Sequence, residues 1–184
     1  MTIHGLLLAA GAGTRMGRPK ALVEDEHGAW LPRAVRALRE GGCAQVTVVL
    51  GASADEAAAL LAGEPVTVVV AQDWAEGMSA SLRAGLAALE GTPARAALVS
   101  LVDLPDVTSA VVARVAAGGD APDALRRASY AGRPGHPVLL GREHWAGVAA
   151  LSQGDTGARD YLATHDVDLV ECGDLATGLD VDSR

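Results

Sequence analysis

Short apolar runs rich in Val and Leu return along the N-terminal half of the chain, at Ile3–Ala9, Val46–Leu50, Val66–Ala71 and Ala97–Val102. They are too short for buried helices and lack polar alternation, so they read as strands covered on both faces. Helical patterns lie between them. Pro32–Glu40 is closed by Gly41-Gly42, Ala54–Leu61 is opened by the capping box Ser53-x-x-Glu56, and Ser79–Leu89 carries Leu82, Leu86 and Leu89 on one face. Such alternation predicts an α/β fold: a Rossmann-like, mostly parallel sheet with helices on both faces and ligands at the C-terminal ends of its strands.

A fourth helix, Ser109–Ala117, ends at Gly118-Gly119-Asp120, and the regular period then stops. An exposed strand is expected at Asp123–Tyr130 and a short one at Val138–Leu140. Helices follow at Glu143–Leu151 and Gly157–Ala163, then a last strand at Val167–Glu171 and a polar tail. With 184 residues and no repeat, linker or low-complexity tract, the expectation is one domain over 1–184, with a ligand-binding half 1–118 and a second half 119–184.

Composition narrows the partners. Fifteen Lys and Arg against 23 Asp and Glu give a net charge of −8, which offers no general field for phosphate and argues against nucleic acid. Any anion must be held by a local site. Hydrophobic residues make up 49% of the chain, but no run approaches the ~18 apolar residues of a membrane span. The start, Met1-Thr2-Ile3-His4, lacks the basic region and cleavage site of a signal peptide, so a cytoplasmic protein with no membrane partner is expected. Cys43 and Cys172 stand alone and read as small buried hydrophobes.

The first strand runs into Leu8-Ala9-Ala10-Gly11-Ala12-Gly13-Thr14-Arg15-Met16-Gly17-Arg18-Pro19-Lys20. Glycines at a strand end let backbone N–H groups approach a phosphate, and Arg15, Arg18 and Lys20 cluster there in an otherwise acidic protein. The dinucleotide fingerprint fails, because the third glycine comes one position late and Pro19 interrupts. A Walker loop fails as well, since Lys20 is followed by Ala21.

Leu98-Val99-Ser100-Leu101-Val102-Asp103-Leu104-Pro105 is an apolar strand ending on a carboxylate. Asp103 suits a hard cation such as Mg²⁺, which takes carboxylate, phosphate and water oxygens; capping of the next helix is the alternative. The tail, Gly178-Leu179-Asp180-Val181-Asp182-Ser183-Arg184, offers further acids or is simply a solvated end. Gln72-Asp73-Trp74-Ala75-Glu76-Gly77-Met78-Ser79-Ala80-Ser81 joins the third strand to its helix, where Ser79 or Ser81 could cap the helix or meet a base. Gly132-Arg133-Pro134-Gly135-His136-Pro137 and Gly154-Asp155-Thr156-Gly157-Ala158-Arg159 are glycine-rich turns. His136 has no nearby Cys, His or Glu, which disfavours zinc.

The first loop resembles the L-A-A-G-x-G-x-R-M-G-x-P-K motif of the MobA-like NTP transferase family, and every fixed position matches. The resemblance implies a nucleotide-diphospho-sugar transferase-like fold. It implies a loop around an NTP triphosphate, with Arg15 and Lys20 on the phosphates, the backbone of Leu8, Ala9 and Ala10 near the base, and Gly11 and Gly13 in the turn. The family's Asp-x-Pro motif falls on Asp103, implying a Mg²⁺ ligand, with a tail acid as second ligand. Asp182 is preferred over Asp180 for its place before Ser183.

Gly77-Met78-x-x-Ser81-Leu82 is similar to a motif of the molybdenum cofactor cytidylyltransferases, implying that Gln72, Gly77, Ser79 and Ser81 bind nucleotide and that CTP is favoured over GTP. The later turns resemble the same branch's Gly-His-Pro and Gly-Asp-x-Gly-Ala-Arg motifs, implying that His136, Asp155 and Arg159 meet the acceptor. The expected activity is Mg²⁺-dependent transfer of CMP to a phosphorylated pterin-like acceptor, with a molybdoenzyme or its chaperone as a further partner. A guanylyltransferase, an enzyme for another phosphorylated acceptor, and a non-catalytic nucleotide-binding protein stay open as alternatives.

Overall fold

The computed structural model describes residues 2–181. Its chain order is β1 Ile3–Ala9, a two-strand hairpin of β2 Glu24–Asp25 and β3 Gly28–Ala29, α1 Trp30–Glu40, β4 Gln45–Leu50, α2 Ala54–Leu60, β5 Thr67–Val70, α3 Met78–Leu89 and β6 Ala96–Leu101. Then come α4 Ser109–Ala116, β7 Leu125–Tyr130, β8 Arg133–Gly141, α5 Trp145–Leu151, α6 Arg159–Leu162 and β9 Asp168–Glu171.

Seven of these strands form one sheet in the order β5-β4-β1-β6-β8-β7-β9. β1 pairs in parallel with β4 and with β6, and β5 extends the parallel set from β4. β8 runs antiparallel to both β6 and β7, and β9 returns parallel to β7. Because β4 and β6 lie on opposite sides of β1, the loops leaving β1 and β6 diverge and open a crevice at their C-terminal ends, where open α/β sheets take ligands.

Alternate residues of β1 face opposite layers, as the two-residue period of a strand requires. Ile3, Leu7 and Ala9 pack with Leu31, Val35 and Leu38 of α1 and Val111, Val112 and Val115 of α4. Leu6 and Leu8 pack with Leu82, Leu86 and Leu89 of α3, and with Trp145 and Val148 of α5. Both layers are tightly filled: Leu6 and Leu7 are fully buried, and truncating either to Ala should cost about 2–5 kcal/mol. α1 begins at Trp30, placing Pro32 in its first turn where no helical N–H partner is needed, and Gly42 at φ 107° closes it.

Several local expectations are corrected. Ser53 precedes α2 in a left-handed conformation, φ 52°, and makes no side-chain cap, so the capping box does not form. β5 is the edge of the sheet and largely exposed, not covered on both faces. β7 is not an exposed strand: it lies between β8 and β9 and buries Leu125, Ala128, Ser129 and Tyr130. β8 spans nine residues, not three, and the last helices shorten to Trp145–Leu151 and Arg159–Leu162. No helix among the described residues is long and apolar enough to cross a membrane.

Candidate active site

The loop after β1 is shaped by glycine where the backbone demands it. Gly13 has φ +59° and a Cβ there would strike the carbonyl of Arg18, so the turn closes on itself only with glycine. Gly17 has φ +72°, and Lys20–Leu22 then forms a single 3-10 turn that returns the chain to the crevice. Lys20 Nζ lies 2.6 Å from Asp103 Oδ2, with the two side chains only 18% and 14% exposed. Asp103 follows β6 and is not a helix cap, since α4 starts after Thr108. Its other carboxylate oxygen, Oδ1, is buried and has no hydrogen-bond partner among the described residues.

Two cavities meet at this pair. The first, about 430 Å³, is lined by Leu8, Ala9, Ala10, Gly11 and Gly13 on one side and by Gly77, Met78 and Ser81 on the other, with Trp74 among its walls. The second, about 700 Å³, holds Arg15, His136, Arg159 and Asp180. Lys20, Met78, Asp103 and Asp155 line both, so the two spaces are adjoining compartments of one cleft. Their sizes are those of small-molecule sites.

The wall between the compartments is built by residues distant in sequence. Asp155 Oδ1 accepts from the Met78 N–H at 3.2 Å, the Gly154 carbonyl accepts from the Ser79 N–H at 2.9 Å, and Ser79 Oγ accepts from the Gly157 N–H at 3.1 Å. A carboxylate at a helix N-terminus satisfies donors that would otherwise be orphaned and complements the helix dipole. Gly77 makes this docking possible: at φ 112°, a Cβ would sit 2.5 Å from Asp155 Oδ1.

Most of the expected site residues therefore line the cleft, but not all. Ser79 is fully buried and its hydroxyl is engaged by Gly157, so neither capping of α3 nor contact with a base is available to it. Gln72 is exposed and lines neither compartment. Asp182 and Ser183 lie outside the described residues. Asp180 reaches the second compartment, because the Val181 N–H donates to the Asp103 carbonyl at 3.0 Å and ties the tail to the end of β6. Among the described residues no group of three or more His, Cys, Asp or Glu could hold a metal by itself.

Two wall residues were not found from sequence. Trp74 carried no motif, yet its side chain fills the space that the missing Cβ of Gly51 leaves. Arg127 sits within β7, where a charged residue looks like an ordinary solvent-facing position, but it lines the second compartment beside His136. Burial, and after it the charge of Arg127, pushes the His136 imidazole down to about 4, so the ring is neutral near pH 7.

A family model described as the MobA-like NTP transferase domain matches residues 5–169. The chain is 38% identical to nicotine blue oxidoreductase of Paenarthrobacter nicotinovorans, over 98% of this chain and 92% of that protein. Among solved structures, Rv0371c of Mycobacterium tuberculosis H37Rv is 30% identical, with a TM-score of 0.84 covering 100% of this chain and 94% of that one. The same protein solved with manganese gives 28% identity and a TM-score of 0.80, over 98% and 94% of the two chains. A nucleotidyl transferase from Methanothermobacter, at 23% identity, shares the fold with a TM-score of 0.82, over 99% of this chain and 92% of that one.

Proposed function

The chain belongs to the MobA-like NTP transferase family, a family of nucleotidyltransferases, and from that premise we propose that it transfers CMP from CTP to a phosphorylated, molybdopterin-type acceptor and releases diphosphate. The observation that carries this reading is the Lys20–Asp103 pair at the end of a glycine-shaped loop, set where the two compartments join. CTP occupies the first compartment, with the backbone of Leu8, Ala9 and Ala10 near the base, Ser81 beside base and ribose, and the turn of Gly11 and Gly13 around the triphosphate. The acceptor occupies the second, which holds His136, Asp155 and Arg159. The division into a nucleotide half, 1–118, and an acceptor half, 119–184, follows from the same assignment.

The acceptor phosphate attacks the α-phosphorus of CTP, forming the new P–O bond as the bond to the bridging oxygen of diphosphate breaks. Arg15 and Lys20 offset the charge that gathers on the departing diphosphate, and the cleft holds the two reactants in line. No general base is required, because a phosphate monoester is already ionised at pH 7. A divalent cation, Mg²⁺ in this proposal, fits the donor set: Asp103 Oδ1 is a buried carboxylate oxygen with no donor among the described residues, and the few acids described there suit an ion that completes its shell with phosphate and water. Asp103 and Asp182, with Asp180 as the competing tail acid, would hold it. When bound, it polarises phosphate oxygens and stabilises charge in the transition state. The manganese complex of Rv0371c supports a divalent metal in this fold.

Oxidoreduction is the second reading, favoured by the identity to nicotine blue oxidoreductase. The first loop lacks the glycine spacing of a dinucleotide site, which places nucleotidyl transfer first. Incubation with each of four NTPs, Mg²⁺ and molybdopterin, beside a parallel assay with a reduced nicotinamide cofactor and a quinoid electron acceptor, separates the readings: diphosphate release with CTP supports transfer. Its absence, together with oxidation of the nicotinamide and reduction of the acceptor in the parallel assay, refutes it.

A further inference from the structure

β7 presents Arg126 and Arg127 to opposite layers, as adjacent strand residues must. Arg126 is engaged on the α4 side, where its Nε donates to Asp168 at 2.8 Å and its Nη1 to the Val115 carbonyl at 2.7 Å. Arg127 has no acid. Its Nε and Nη2 reach the Gly135 carbonyl, each at 3.3 Å, and Nη1 makes no hydrogen bond among the described residues. The pairing register of β7 with β8 slips between Arg127 and Ser129, an irregularity of the kind that re-aims a side chain toward a site.

Arg159, first residue of α6, stands close enough for its charge to act on Arg127. Its side chain forms no ion pair and no hydrogen bond among the described residues. Together they line the acceptor compartment and, with Pro134 and Leu162, the outer cavity of about 420 Å³ that continues from it. The described acids nearby do not neutralise them: Asp103 is paired with Lys20, Asp155 is turned to the Met78 N–H, and neither Asp180, in the acceptor compartment, nor Asp166, on the outer cavity, makes an ion pair with either arginine. His136 is neutral and adds no compensating charge.

Two guanidiniums brought together without a carboxylate repel each other, a cost that an anion between them offsets. Guanidinium is also the side-chain group whose planar N–H fork best matches the oxygens of a phosphate. We propose that Arg127 and Arg159 form a clamp for the phosphomonoester of the acceptor, making Arg127 a specificity-determining residue of the second compartment. The clamp rests on the reading of that compartment as the acceptor's. It selects acceptors that carry a dianionic phosphate over those with a neutral hydroxyl.

Inorganic phosphate is the probe, and the His136 imidazole resonance beside Arg127 is the reporter. Phosphate titration should shift that resonance saturably in the wild type and equally in Lys20→Ala, which removes the competing phosphate site of the first loop. Arg127→Gln and Arg159→Gln should each weaken phosphate at least tenfold. Arg159→Gln, at the end of a short surface helix, keeps the test valid if Arg127→Gln does not fold. Unchanged affinity in Arg159→Gln, or loss in Lys20→Ala alone, would overturn the clamp. Phosphate bound through both arginines without diphosphate release from any NTP would retain the clamp and refute nucleotidyl transfer; the opposite pair of results would do the reverse.

Discussion

Lys20 Nζ and Asp103 Oδ2 stand 2.6 Å apart although 83 residues separate them in sequence, one carried by the loop after β1 and the other by the end of β6. The parallel pairing of those two strands is what brings them together. Each side chain has a role that the other can hold in reserve: the carboxylate keeps the ammonium inside the cleft, and the ammonium keeps one carboxylate oxygen from being bare. A triphosphate with its metal would take over both partners.

Replacing Lys20 by Ala removes one point charge from the departing diphosphate. Turnover should fall roughly 10²–10³-fold, the usual scale for a single electrostatic donor, with the fold intact but the melting temperature lowered by the loss of Asp103's partner. Arg15→Ala should act more on NTP affinity. Steady-state kinetics within twofold of wild type for both would remove the loop from the chemistry.

Asp103→Asn preserves size and loses the charge needed by a hard cation. Activity should drop steeply and the Mg²⁺ concentration for half-maximal rate should rise. Asp182→Asn should give a weaker version of the same shift. A larger shift in Asp180→Asn would transfer the second-ligand role to that residue, and no shift in any variant would remove metal binding from this end of the sheet.

Ser81 and Ser79 should part company. Ser81 lines the first compartment, so if CTP sits there as proposed, Ser81→Ala should narrow a CTP over GTP preference of at least tenfold in kcat/KM. Ser79→Ala strands the Gly157 N–H, and should cost about 1–3 kcal/mol of stability with little change in base preference. Thermal melts and competition between the two nucleotides read these outcomes separately.

Stability should fall in two acidic steps with distinct origins. The His136 imidazole titrates near 4 when folded and near 6.5 when free, so between those values the unfolded chain binds more protons and stability declines as pH falls. Glu171 accepts from Ser129 Oγ and from the Ala131, Gly132 and Gly173 N–H groups, the Ser129 hydroxyl contributing most, which hold its carboxyl down at about 2. Its share is complete above the ordinary value of 4.5 and is lost as pH falls toward 2. Glu171→Gln should flatten the lower step and His136→Asn the upper one in melting temperature against pH.

Placement was legible in the sequence where it is carried by a strand and the few residues that leave it. The apolar run into Gly11 and Gly13, and the run into Asp103-Leu104-Pro105, announce both their secondary structure and their place at one sheet edge. Placement was not legible where it depends on distant chain. Asp155 caps α3 from 77 residues away, which displaces Ser79 into the interior. Ser53 has the right spacing to Glu56, but a left-handed backbone turns its hydroxyl away from the helix. Pro134 and Gly135 mark residues 133–137 as a turn by composition, whereas pairing with β7 extends them into β8. Arg127 had no local signal, since the residues that share its cavity, among them Arg159 and Leu162, come from a distant part of the chain.

The fate of the α-phosphorus of CTP tests the central claim most directly. With CTP labelled at that position, Mg²⁺ and molybdopterin, the label should pass into a CMP-acceptor conjugate while unlabelled diphosphate accumulates in equal amount, and Lys20→Ala should slow both together. Label that remains in CTP, with no diphosphate formed from any of the four NTPs, would contradict nucleotidyl transfer by this chain.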